Sequence, residues 1–310
     1  MKSDLNKVFR VYAPQSGELK HIEQTIRKAY LFFLRKVSNS YYSLILKPLM
    51  KINEDVPYLS ESEIEEIENK VNDLSDGDYQ HKEVFHEASA RISGLRKINY
   101  IRYLLMCEGY RSYRAYADGK LSIDSRSAKM VTTNVDMAQI NRDVANMSYS
   151  KINFEHPKER KLLSIIDHYR DGVLIFLDNK DAINCLADII RERFPLTVVA
   201  TLFFNKAKYK HVQVVDDFNN GAINILIATS LRETQILAGS VKAIIHYSLP
   251  KNDSLLENRC LSLRNTDEQS VYFIVSDYEE AHYRQLVKKN GIKSIDFKSF
   301  NTQISLDFAE

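Results

Sequence analysis

The sequence predicts an α/β protein, a doubly wound parallel sheet preceded by an all-helical domain, and three observations predict it. The 310 residues exceed the roughly 100–150 of a typical domain, so two folding units are expected. Residues 15–150 place their apolar side chains at helical spacing. From His156 onward, short β-branched runs alternate with helices, the pattern of a parallel sheet covered on both faces. With 44% hydrophobic and 27% charged residues, the composition is that of an ordinary globular chain with a substantial core.

The first helix is carried by GELKHIEQTIRKAYLFFLRKV, in which Ile22, Ile26, Tyr30, Leu31 and Phe33 fall broadly on one side. In LSESEIEEIENKV, Ser60 or Ser62 precedes a carboxylate-rich first turn, which the positive end of a helix favours. A long helical segment from His81 to Tyr116 is interrupted at Gly94 and Gly109. Five strands follow, in GVLIFL, LTVVATLF, INILIAT, VKAIIHYSL and QSVYFIVS. Between them lie helices from Lys180 to Arg193, His211 to Asn219, Asp253 to Leu263 and Tyr278 to Lys289. With a boundary near Asn153 to Pro157, the expected division is an all-helical domain over 1–155, a sheet domain over 156–292 and a flexible tail over 293–310.

Lys+Arg 43 against Asp+Glu 41 leaves a formal net charge of +2, so a nucleic-acid surface has to come from local clustering. Cys107, Cys185 and Cys260 lie far apart without a CxxC pair, which argues against a zinc site or a disulfide framework and suits a reducing cytoplasm. The start, MKSDLNKVFR, lacks an apolar signal core, and no run approaches the ~20 apolar residues of a membrane span. A soluble protein without a membrane partner is expected.

The most suggestive local cluster is ARISGLRKINYIRYLLMCEGYRSYRAYADGK. Arg91, Arg96, Lys97, Arg102, Arg111 and Arg114 are interleaved with tyrosines that include Tyr103 and Tyr113, against a lone Glu108 before Asp118. Cations neutralise phosphates, and tyrosine rings stack on unpaired bases for ~1–3 kcal/mol each. Those eight basic and tyrosine residues are therefore DNA-binding candidates. The competing reading is helix packing with a solvated basic face, because the arginines do not form one stripe at helical spacing.

The order of the helical block, HPKERKLLSII, GVLIFLDNKDA, VVDDFNNGAINILIATSLRE and VYFIVSDYEEAHY resembles the archaeal Hef/FANCM-type superfamily 2 DNA helicases over nearly the whole chain. The resemblance is to their C-terminal half, a helical insertion plus the second RecA-like domain. Phe176 to Ala182 falls at family motif IV, Ile225 to Ser230 with Thr229 matches the motif V strand, and Val271 to Tyr283 matches the closing strand and helix. KVFRVYAPQSGELKHIEQTIRK resembles the strand and first helix that leave the family's first RecA-like domain. The resemblance implies a RecA-like sheet, work at branched or single-stranded DNA in repair or at replication forks, and a nuclease or helicase partner.

The departures from the family pattern are as informative. The phosphate-cradling GxxxxGK[ST] is missing, since the Gly119-Lys120 pair runs into Leu121. The family's arginine-finger motif falls on NRCLSLRN, where Arg259 is kept but Ser262 and Asn265 stand at the finger positions. A finger contributes on the order of 10³–10⁵ in rate. The Gly-Leu-Asp turn of motif V is replaced by Gln235, Ile236 and Leu237; Arg232 or Arg264 could in principle substitute for a finger, but arginines on a solvated surface are the commoner reading. No ATPase activity of the chain by itself, no catalytic residue, no metal and no cofactor are expected.

Three further signals have bland explanations. Asp277-Tyr278-Glu279-Glu280 is similar to a Walker B carboxylate pair, but Ser276 and Glu279 have capping-box spacing. Glu159-Arg160-Lys161 resembles an ERKxxxD nuclease core, yet Ile165 stands where the metal-binding Asp belongs. Gln303, Leu306 and Phe308 in the tail are similar to a peptide that docks on the sliding clamp PCNA, although Phe308 comes one residue early and a loose chain end is the competing reading. The expected function is a non-catalytic helicase-like protein that binds branched or single-stranded DNA and acts through partners. The alternatives are one half of a split helicase and a pure interaction adaptor.

Overall fold

The computed structural model describes residues 7–38, 58–77, 82–121, 125–149, 155–202, 208–229, 236, 238–260 and 269–298. They divide into a helical unit, drawn from Ser16–Met106 and Tyr113–Phe154, and a sheet unit, drawn from Met1–Gln15, Cys107–Ser112 and Glu155–Glu310.

The helical unit contains α1 (Gly17–Ser38), α2 (Glu61–Gly77), α3 (Lys82–Tyr103), α4 (Tyr110–Gly119), α5 (Arg126–Thr133) and α6 (Val135–Tyr149). On α1 the expected stripe is real: Ile22, Ile26, Tyr30 and Phe33 are buried, with Leu31 at its margin. Ser60, not Ser62, starts α2. Its hydroxyl accepts from the Glu63 amide at 3.3 Å while the Glu63 carboxylate accepts from the Ser60 amide at 2.7 Å, a reciprocal cap.

The two glycines expected to interrupt the third segment act differently. Gly94 leaves α3 unbroken, because its missing side chain makes room for the Phe33 ring, which would lie 2.6 Å from an added Cβ. Gly109 does end the run, after a π-helical turn over Leu104–Glu108, and adopts a φ of +99° with the Glu159 carboxylate in the space a Cβ would fill.

The sheet unit holds seven strands: β1 (Val8–Ala13), β2 (Val173–Phe176), β3 (Val199–Leu202), β4 (Ile225–Ala228), β5 (Ala243–His246), β6 (Ser270–Ser276) and β7 (Ile295–Asp296). Their order is β3-β4-β2-β5-β6-β1-β7, and every pair is parallel. Strict alternation splits the core. Val173, Ile175, Ile225, Ile227 and Ile245 face α7 (Pro157–Tyr169) and α8 (Lys180–Arg193); Leu174, Phe176, Leu226, Ile244 and Phe273 face α9 (Lys208–Asn219) and α11 (Glu280–Asn290). Burial on both faces explains why these strands read as continuous apolar runs.

Several expectations need correction. The block 1–155 is not all helical, since β1 pairs with β6 along its whole length and belongs to the sheet unit together with 107–112. β1 is a strand of this sheet, with Phe9, Val11 and Ala13 packed into one of its faces. The segment from 293 does not begin as a loose tail either, because β7 pairs with β1 at Phe9 and Arg10. The sheet has seven strands where five were expected.

Candidate functional site

In an open parallel sheet, ligands bind beyond the carboxyl ends of the strands, where the chain's direction of winding reverses. Here that point lies beside β2, with β4 on one side and β5 on the other. It is filled by the protein's own arginine. Arg259, on the last turn of α10 (Asp253–Cys260), is fully buried. Its guanidinium donates to the Ser248 carbonyl at 3.0 Å, the Asp178 carboxylate at 2.5 Å and the Thr229 carbonyl at 3.2 Å. One side chain thus ties the carboxyl ends of β5, β2 and β4 together. A guanidinium taken from water needs a carboxylate and further acceptors to offset desolvation, and these three strand ends supply them.

The guanidinium also lies over the Phe176 ring, 5.1 Å from its centroid. A ring ladder crosses neighbouring strands from there. Phe176 stacks on His246 at 5.7 Å, and His246 on Phe273 at 4.5 Å with planes only 7° apart. Burial, reinforced by Arg259, pushes His246 well below the ordinary imidazole range. It is held as a neutral ring, and neither ring nitrogen has a hydrogen-bond partner among the described residues.

A second buried cluster continues the same edge. Lys158, on the first turn of α7, donates to both oxygens of Glu279, at 3.1 and 2.8 Å, and to the Tyr247 carbonyl. Burial pushes the Lys158 ammonium down, but Glu279, helped by Glu108, outweighs it and holds the group above its ordinary value. Glu279 in turn accepts from the Ser276 amide at 3.2 Å and hydroxyl at 2.8 Å. Ser248 joins the two clusters, donating to Glu108 at 2.6 Å and accepting from the Asp178 amide at 3.1 Å. Burial pushes the Cys107 thiol well up, so it stays protonated in this network.

The carboxylates that imitated catalytic motifs are used structurally. Glu279 binds Lys158 and Ser276, and Asp277 accepts from the Gln15 amide at 2.9 Å and from the Tyr12 hydroxyl. The Ser276–Glu279 box is one-sided: Glu279 itself is the N-cap of α11 and no side chain caps its first turn. Glu159 accepts from the His156 amide at 3.1 Å in the cap of α7, and burial raises its carboxyl to about 7. Among the described residues, no group of three or more His, Cys, Asp or Glu side chains is placed to hold a metal ion.

The DNA-binding candidates are dispersed and mostly matched by carboxylates. Arg96 binds Glu61 at 2.5 Å and also Glu68; Arg102 binds Glu23 at 2.6 Å and covers the Tyr58 ring at 3.8 Å. Arg111 forks onto Glu192 at 2.8 and 2.7 Å, and Arg114 lies 3.6 Å from Asp118. Arg91 binds Glu87 and the Lys36 carbonyl, and Lys97 donates to Ser93 at 3.1 Å. Tyr103 is half-buried with its ring 6.4 Å from that of Tyr100. Tyr113 requires correction: it is fully buried, with its hydroxyl on Asn141, and offers no face to a base. Of the motif residues, Thr229 and Arg259 are placed as described; Arg232, Gln235, Leu237, Ser262 and Asn265 lie outside the described residues, as do Gln303, Leu306 and Phe308 of the tail.

Sequence reasoning passed over the exposed face of α1. From Gln24 to Val37 this helix has no carboxylate and carries Arg27, Lys28, Arg35 and Lys36, together with a Phe32 that is 49% exposed. The absence of acids over nearly four turns was the available signal.

A seven-stranded parallel sheet with its strand-end crevice at β2 defines the class: this is a RecA-like helicase domain fold. Residues 157–261 match the family model described as helicase conserved C-terminal domain, so the sheet unit is a C-terminal helicase-like domain of superfamily 2. The chain is similar in fold to the Pyrococcus furiosus Hef helicase domain, with a TM-score of 0.63 and 16% identity, covering 90% of this chain and 57% of that one. By sequence it is similar to the ATP-dependent RNA helicase vasa of Drosophila melanogaster, 29% identical over 97 residues, or 31% of this chain. The probable ATP-dependent RNA helicase DDX46 of Homo sapiens is 29% identical over 101 residues, or 32% of this chain. The chain spans 14% and 10% of the lengths of those two relatives. Among the described residues, no helix is long and apolar enough to cross a membrane.

Proposed function

We propose that this chain is a helicase-like module that binds branched or single-stranded DNA in repair or at replication forks, does not hydrolyse ATP by itself, and acts through a partner protein. The observation that carries the reading is the sequence at the arginine-finger positions. A helicase C-terminal domain contributes to hydrolysis by presenting arginines to a nucleotide, and here Ser262 and Asn265 stand at those positions, while the kept Arg259 is buried and bound to Asp178, Thr229 and Ser248. The missing phosphate cradle in the sequence supports the same reading. A nuclease, a helicase or the sliding clamp PCNA as partner follows from resemblance alone.

The test is hydrolysis of ATP by the purified chain with and without forked DNA, alongside binding of fork, single strand and duplex. The reading expects DNA binding without turnover. Fork-stimulated hydrolysis by the chain alone would overturn it. That vasa and DDX46 are RNA helicases favours RNA as a second ligand, so an RNA strand of the same length belongs in the series. A split helicase is the second functional reading; turnover that appears only on adding a separate ATP-binding chain would support it.

A further inference from the structure

Two concavities of the helical unit share three walls, Phe32, Lys36 and Arg91. One, of about 640 Å³, is completed by Lys28, Leu31 and Arg35 and is basic. The other, of about 470 Å³, is completed mainly by Phe33, Met130, Asn134 and Val135, with Asp136 as the one carboxylate among its described residues, and is largely apolar. Phe32 stands between them with the Lys36 ammonium 5.6 Å from its ring centroid, and Val135, 78% exposed, opens the apolar side to solvent.

Two exposed apolar side chains would mean little singly. Here they border a groove whose other half, among the described residues, has positive side chains as its charged members, and the α1 residues from Gln24 to Val37 include no acid. A protein helix docking on this face would need an acidic stripe opposite the cations and an apolar ridge beside it. Duplex DNA would satisfy the cations but leave the apolar half empty, because its bases are stacked inside. An unpaired strand satisfies both, with anionic phosphates at regular spacing and flat apolar bases free to leave the stack.

We propose that this groove on α1 is the seat of an unpaired nucleic-acid strand, its phosphates against Lys28, Arg35 and Lys36 and a base on the Phe32 ring beside Val135. The proposal deepens the nucleic-acid reading above and rests on it. It also moves the contact away from the Arg- and Tyr-rich stretch of α3 and α4, of which only Arg91 lines the groove.

The test is fluorescence anisotropy of the full chain with a twenty-nucleotide thymidine strand, the matching uridine strand, and a blunt duplex, across a salt series. Lys28→Ala/Arg35→Ala/Lys36→Ala should weaken single-strand binding at least about tenfold at low salt. It should also flatten the slope of log affinity against log salt by about 2, at roughly 0.7 per phosphate lost. Phe32→Ala should weaken single-strand binding roughly tenfold while sparing duplex binding, and Phe32→Tyr should restore it, since either ring stacks. Comparison of the thymidine and uridine strands shows whether the groove takes DNA, RNA or both. Lys28, Phe32, Arg35 and Lys36 are all exposed, so their substitution should leave the fold intact; circular dichroism and thermal melts check this, and only folded variants are scored. If the parent binds a strand and the folded triple and Phe32→Ala variants bind it equally well, the groove assignment is wrong while the nucleic-acid reading stands. If the parent binds no strand and no fork, that reading falls and the groove assignment falls with it.

Discussion

The carboxyl edge of the sheet and the exposed face of α1 hold their charges in opposite ways. At the sheet edge, Arg259, Lys158, Asp178, Glu279 and Glu108 are buried and linked through Ser248, Tyr247 and Ser276, so their charges offset one another inside the domain. On α1, Lys28 and Lys36 stand beside an exposed Phe32 in a groove. Arg259 and Glu279, which look like motif residues, therefore do structural work, whereas Lys28, Phe32 and Lys36, which match no motif, face solvent. A charge is informative about binding only after its intramolecular partners are known.

The largest expected effect comes from breaking the first of these networks. Arg259→Met should cost about 3–5 kcal/mol, because it leaves two strand-end carbonyls without their donor and Asp178 with only the more distant Lys251, at 3.5 Å, among the described residues. At about 2–4 °C per kcal/mol for a chain of this size, calorimetry should show the unfolding midpoint falling by roughly 10 °C or more. A loss of only a degree or two would mean that the guanidinium is not the tie between β2, β4 and β5. Next in size, Lys158→Met should destabilise more than the double variant Lys158→Met/Glu279→Gln. The single change strands a buried carboxylate, whereas the double removes both charges. Additive losses would contradict a coupled pair.

A smaller, pH-dependent effect belongs to Glu159. Its carboxyl is raised by burial from 4.5 to about 7, so the folded protein holds this proton more tightly than the unfolded chain. Stability then falls as pH rises from about 4.5 to about 7 and is level above that. Glu159→Gln keeps an acceptor for the His156 amide but cannot ionise, so it should raise the melting midpoint at pH 8 and leave it unchanged at pH 4. A midpoint lowered equally at both values would show that the carboxylate is favourable where it sits.

The smallest effects sharpen the comparison from the other side. Arg96→Ala and Arg102→Ala each disturb partly exposed ion pairs, with Glu61 and Glu68 and with Glu23. Each should cost about 1 kcal/mol or less. Neither should change single-strand affinity, as measured by the same anisotropy series. A loss of affinity comparable to that of the α1 triple variant would return the binding surface to α3.

The strands were readable because each is buried on both faces and so appears as an unbroken β-branched run, from GVLIF to SVYFIV. The cap at Ser60 and the end at Gly109 were readable because both are local. What failed depended on partners far away in sequence. VFRVYA reads as a strand, but nothing nearby says that it pairs with SVYFIVS. Arg96, Arg102 and Arg111 look available until Glu61, Glu68, Glu23 and Glu192 arrive from other helices. Arg259 looked like a surviving motif residue because its acceptors lie at the ends of three different strands. The α1 groove was missed for a different reason: its cations are spaced along one helix face and match no motif, and their meaning lies in the acids that are absent.

The central proposal is that this helicase-like domain, whose strand-end crevice holds the buried Arg259, takes no nucleotide in the isolated chain. Isothermal titration of the purified chain with Mg-ATP and with Mg-ADP, in the presence and absence of a forked DNA, tests it most directly. The account predicts no binding heat in any of the four titrations at nucleotide concentrations up to the millimolar range. Saturable binding of either nucleotide at micromolar concentration, lost in a folded variant at Thr229 or Asp178, would contradict it.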